Sequence, residues 1–109
     1  MLKPFLALAF LVALSGRAAA ITPAELTPAE QAKYQLVKSN PAAAAAFLAT
    51  RDYVHKAADI VANPANKQAA MDLKKPKNFD VKYLLAGDVD KINAAIDIGL
   101  DALAESAVA

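Results

Sequence analysis

Asp52, His55 and Asp59 are spaced by three and then four residues, which stacks them on one face of a helix. Two carboxylates and an imidazole so placed could chelate a divalent cation. The usual zinc sets need a second imidazole or a thiolate, and His55 is the single histidine of a chain that has no cysteine. A plainer account of the same spacing pairs Asp52 with Lys56 one turn on, sets Arg51 one turn before His55, and leaves the face to solvent. The expectation is no metal and no cofactor, with Asp52, His55 and Asp59 the candidates for a cation if one binds.

Other catalytic arrangements are missing from the sequence. Neither Ser39 nor Ser106 sits in a Gly-x-Ser-x-Gly turn that would expose a nucleophile. Gly87 and Gly99 are isolated, so no glycine-rich loop cradles a phosphate. Asp97 and Asp101 are acids of a helix face rather than a general acid and base held apart in a cleft. An enzyme is not expected. Lys74, Lys75 and Lys77 could touch an anionic surface such as phospholipid headgroups, but Asp72 and Asp80 flank them, as in a solvated connection. Tyr34, Phe47, Tyr53, Phe79 and Tyr83 fit core stripes better than a stacking platform, and nucleic acid is not an expected partner.

The elements that must hold these residues occupy 109 residues, 57% of them hydrophobic, enough for one domain and no more. Absence of cysteine excludes a disulfide framework and an iron–sulfur cluster. Residues 1 to 20 read as a secretory signal peptide: Lys3, an apolar run from Pro4 to Leu14, then Ala18 and Ala20 as the small residues of a cleavage site. That run is too short to cross a bilayer, which takes about 20 apolar residues. Export to a periplasm or outside the cell is expected, with the mature domain spanning 21–109. Loss of Lys3 and Arg17 leaves 10 basic and 11 acidic side chains, with an excess of lysine over residues 67–82 and of acid over 88–105. These two regions could attract each other within one molecule or between two.

The mature segment holds 22 alanines and two glycines, a composition that favours helix. Thr22-Pro23-Ala24-Glu25 and Thr27-Pro28-Ala29-Glu30 both carry a capping threonine, a first-turn proline and a glutamate that can reach back. The second predicts a helix to about Ser39, burying Ala29, Ala32, Leu36 and Val37. Leu26-Thr27-Pro28-Ala29-Glu30-Gln31 faintly resembles the Leu-Thr-x-x-Gln signature of small helical periplasmic chaperones. Glu30 stands where that signature has glutamine, and no family is assigned.

Asn40-Pro41 and Asn63-Pro64 each predict a stop and a restart. Between them, Ala46, Tyr53 and Ile60 recur every seven residues, as do Phe47, Val54 and Val61. A short helix is expected from Pro64 to about Leu73. Residues 79–86 alternate like a strand, yet a lone strand would lack a partner, so a short helix capped by Asp80 is preferred. Gly87 then ends it and Asp88 caps the last helix, whose expected buried stripe is Leu85, Val89, Ile92, Ile96, Gly99 and Leu103. An all-α bundle of three to five helices results. Its expected role is to bind or scaffold a protein partner, or to self-associate. A peripheral envelope protein using Lys74 to Lys77 is the alternative, and a small exported metal binder comes third.

Overall fold

A computed structural model describes residues 21–108, which are helical with no strand among them. The predicted signal peptide lies outside the described residues. Four helices are present: α1 (Pro28–Val37), α2 (Pro41–Ala62), α3 (Lys67–Asp72) and α4 (Asp88–Val108). Single 3₁₀ turns at Pro23–Glu25 and Val81–Tyr83 supplement them. The all-α expectation holds.

Capping chemistry sets the boundaries. The second Thr-Pro-x-Glu motif forms a full capping box, while in the first Glu25 Oε1 accepts from the Thr22 N–H and hydroxyl and only a 3₁₀ turn opens. In the second, Thr27 N–H donates to Glu30 Oε1 at 2.8 Å while Thr27 Oγ1 accepts from Glu30 N–H at 3.3 Å. Asn40 Oδ1 accepts from Ala42 N–H and Ala43 N–H at 3.1 and 3.2 Å, opening α2. The expected restart at Asn63-Pro64 does not occur. Those residues make a turn, and Asn66 opens α3 by accepting from Ala69 N–H. Asp80 caps the 3₁₀ turn at Val81–Tyr83 by accepting from Lys82 N–H, so the preference for a short helical segment over a strand holds there.

α2 is the spine, about 33 Å long at 1.5 Å per residue. α4 lies along it, α3 packs on α4, and α1 docks on the N-terminal part of α2. Two small cores form at opposite ends of α2. One gathers Ile21, Leu26 and Phe47, with Tyr34 and Tyr83 against the phenyl ring at centroid distances of 5.9 and 5.4 Å. The other gathers Ala57, Ile60, Ala70 and Ala95, with Ile92 and Ile98 packed against it. The predicted stripe of α2 is largely present, since Phe47, Tyr53, Val54 and Ile60 are all buried, whereas Val61 is exposed.

Two other stripes are corrected. In α1, Ala29, Ala32 and Leu36 face solvent, and the inward row is Glu30, Tyr34 and Val37. The reason is electrostatic: a carboxylate can be buried there because a guanidinium meets it. In α4, Ile92 and Gly99 face inward as expected, but Val89, Ile96 and Leu103 are 54%, 40% and 51% exposed. The packed face is Asp88, Ile92, Ala95, Ile98, Gly99 and Ala102. Small residues win because a Cβ on Gly99 would stand 2.6 Å from the Ala70 carbonyl oxygen, an approach that a larger side chain forbids. Consequently Ile96→Asp, which on the inner face would cost several kcal/mol, is expected to cost less than about 1 kcal/mol. Thermal melts by circular dichroism check this, and a large drop would restore Ile96 to the core.

Candidate functional site

The side chains with chemical potential gather in two places. The first is a buried charge cluster at the middle of α2. Arg51 Nε donates to Glu30 Oε2 at 2.5 Å, and its Nη1 donates to Asp88 Oδ2 at 2.6 Å and to the Tyr83 carbonyl at 3.0 Å. His55, one turn on, directs Nε2 at both Glu30 oxygens, 2.9 and 2.8 Å away. The side chains of Glu30, Arg51 and Asp88 are 1%, 5% and 6% exposed, and that of His55 is one-third exposed. Thr50 adds a link by donating to Ala46 O and accepting from Asp80 N–H.

Burial pushes the Glu30 carboxyl up, but the bonds from Thr27 N–H, Arg51 and His55 outweigh it and hold the group below its ordinary value of 4.5. Its folded-state pKa therefore lies below its unfolded value. The stability it contributes is complete above about pH 4.5 and is lost as pH falls through the depressed folded value. Urea titrations from pH 7 downward are expected to show a steep loss below pH 4.5 that is shallower in Glu30→Gln.

These contacts revise the sequence reading of the helix face. Asp52 does pair with Lys56, at 2.9 Å. His55 does not stay with Asp52 and Asp59 on a solvated face, because Glu30 of α1 captures it. Among the described residues no three His, Asp or Glu side chains are grouped as a metal set. Losing a bond to a buried carboxylate, His55→Ala is expected to cost about 1 to 2 kcal/mol. Added zinc is expected to leave the melting temperature of the parent protein unchanged. A zinc-dependent rise that vanishes in His55→Ala would revive the cation site.

Asp88 is likewise corrected. It is the first residue of α4, and its Oδ2 accepts from Leu85 N–H at 2.6 Å as well as from Arg51. The residue before it, Gly87, holds φ at +86°, a conformation that glycine adopts without penalty, and its carbonyl accepts from Lys91 N–H. In the sequence Glu30 reads only as a capping residue. A usable signal existed in α2, where Thr50 and Arg51 interrupt the apolar stripe between Phe47 and Val54.

The second place is the outer face of α4. Val89, Ile96, Leu100 and Leu103 lie on one side of the helix and are each 40% to 58% exposed. Next to them, Tyr53, Phe79, Leu84 and Ile92 line a shallow apolar groove of about 280 Å³ that Val89 and Ile96 border. Lys75 stands at its rim with Nζ 5.4 Å from the centre of the Phe79 ring. Lys74 and Lys77 are exposed. Lys74 instead borders a wider hollow of about 1010 Å³ between the end of α2 and α3, where Lys56, Asp59 and Asp72 mix both signs of charge. Among the described residues the lysine-rich and acid-rich stretches meet in one ion pair, between Lys67 and Glu105.

No helix among the described residues is long and apolar enough to cross a membrane. The cluster is fully satisfied internally, and among the described residues no buried side-chain polar atom is left without a partner. It fastens elements together, whereas the α4 face and its groove leave apolar side chains exposed. Comparison of the chain with protein-family models, with curated proteins and with solved structures finds no match.

Proposed function

We propose that this chain is a small exported helical module that binds a protein partner through the outer face of α4 and performs no chemistry of its own. The exposed row of Val89, Ile96, Leu100 and Leu103 carries this reading. Scattered surface leucines are ordinary, but a contiguous apolar row beside an apolar groove is characteristic of an interaction face. Export rests on the composition of residues 1 to 20.

The test compares the parent protein with a Leu100→Ser/Leu103→Ser variant. Both residues are more than half exposed, so the variant should melt like the parent. Crosslinking in intact cells should give a defined adduct with the parent and none with the variant. An identical adduct in both would remove the α4 face from the function. N-terminal sequencing should find Ile21, or Ala19 after the alternative cleavage, and Met1 on the abundant species would overturn export.

A second reading, contact with an anionic envelope surface, draws on the exposed Lys74 and Lys77. It requires the protein to sediment with anionic vesicles and to stop doing so when these lysines are replaced by glutamine.

A further inference from the structure

We infer that the occupant of the α4 face is an amphipathic helix of another protein with lysine or arginine along one flank of its apolar seam, rather than a second copy of this chain. This rests on the binding reading above and names the partner's chemistry. The face has the repeat of a helix-pairing seam. Val89, Ile96 and Leu103 recur every seven residues, and Asn93, Leu100 and Ala107 form a second such series offset by four. All six are exposed. A helix laid along them would meet alternating spacings of four and three, the pattern that accepts knobs into holes. Asn93 is the one polar residue in the seam, a device that fixes register when the partner places a polar side chain at the same layer.

Charge selects between candidate partners. On one side of the seam α4 turns into its own core through Ile92 and Gly99. The other side carries Asp90 and Asp97, with Asp101 further round. Glu105 is paired with Lys67, but Asp90, Asp97 and Asp101 have no ion pair among the described residues. A second copy laid antiparallel would bring this acidic flank against itself. Laid parallel, it would bring the acidic flank against the Ile92 and Gly99 side, which α2 and α3 already cover. A helix whose basic flank lies on the Asp90 and Asp97 side escapes the clash of acid with acid and sets no charge against the covered side, and opposite charges across a seam set partner choice and orientation. The same acids disfavour an anionic lipid surface at this face.

Two labelled peptides of about three heptads test the inference, both with a leucine seam interrupted by one asparagine, one with lysine and the other with glutamate at the flanking positions. Fluorescence anisotropy with the full mature chain at low salt should show the lysine peptide binding at least about tenfold more tightly. That preference should collapse in Asp90→Asn/Asp97→Asn/Asp101→Asn, whose fold is checked by circular dichroism. Leu100→Ser/Leu103→Ser should lose both peptides. Equal binding of the two peptides would overturn the basic-flank inference while leaving the binding face intact. Failure of both peptides to bind would overturn the inference and the face together. A dimer in sedimentation equilibrium that dissociates in Leu100→Ser/Leu103→Ser would show the occupant to be a second copy.

Discussion

Replacing Arg51 with alanine is expected to lower the stability of the fold by about 3 to 5 kcal/mol, the cost of breaking a buried ion pair from one side. The guanidinium serves two carboxylates and a carbonyl from three separate parts of the chain. Without it, Glu30 and Asp88 stay almost fully enclosed, and His55 bonds only Glu30. For a domain of this size each kcal/mol moves the melting temperature by roughly 4 to 8 °C. A fall of about 12 °C or more in the circular dichroism melt is therefore anticipated. Arg51→Lys should recover only part of the loss, because an ammonium cannot reproduce the planar fork. Combining Arg51→Met with Glu30→Gln and Asp88→Asn should recover part of it by another route, since no charge is then buried unpaired. A melt of Arg51→Ala within two or three degrees of the parent, on the same scale, would mean that the cluster is not enclosed.

The second large effect belongs to Gly99. In an isolated helix, glycine to alanine gains about 1 kcal/mol. Here the added Cβ would stand 2.6 Å from the carbonyl oxygen of Ala70 and 3.3 Å from its carbonyl carbon. That obstacle is backbone, so no rotamer change relieves it and α3 must be displaced. Gly99→Ala is expected to destabilise by about 1 kcal/mol net and Gly99→Val by about 3 kcal/mol, the range of overpacked cores. Urea unfolding of both variants measures the difference. If Gly99→Ala proved more stable than the parent, helix propensity would have won and α3 would not press on α4 so closely.

Local chemistry was the legible part of this chain. Thr27, Asn40 and Asp80 cap as their sequence context predicts, because capping involves atoms two or three residues apart. The stripe of α2 was readable because that helix is buried along much of its length. The buried face of α4 is not legible because the helix carries two apolar rows, and spacing gives more weight to large residues. The row of larger residues, Val89, Ile96, Leu100 and Leu103, is the one left outside. Ala95 and Gly99 are chosen for the inside by the nearness of Ala57 and Ala70, which no window of α4 contains. The charge cluster escaped for the same reason. Its partners are separated by 21 and 37 residues, and Glu30 already had a complete local role at the start of α1. The candidate binding face was half legible: its acids and apolar residues were in view, but which row stayed uncovered depended on the packing of the other.

The division of the interior into two apolar clusters on either side of Arg51 has a consequence for how the molecule breathes. Each cluster is small, and the first is closed by the segment from Ile21 to Val37, which touches the rest chiefly through Phe47, Tyr83 and the Glu30 carboxylate. Local opening of that segment, with α2, α3 and α4 keeping their mutual packing, is expected to cost less than global unfolding, an ordering that hydrogen exchange checks. Tyr53, Phe79, Val89 and Ile96, which define the groove, all belong to the part left standing. The groove residues proposed to meet a partner at α4 therefore keep their own packing whether the N-terminal segment is open or closed.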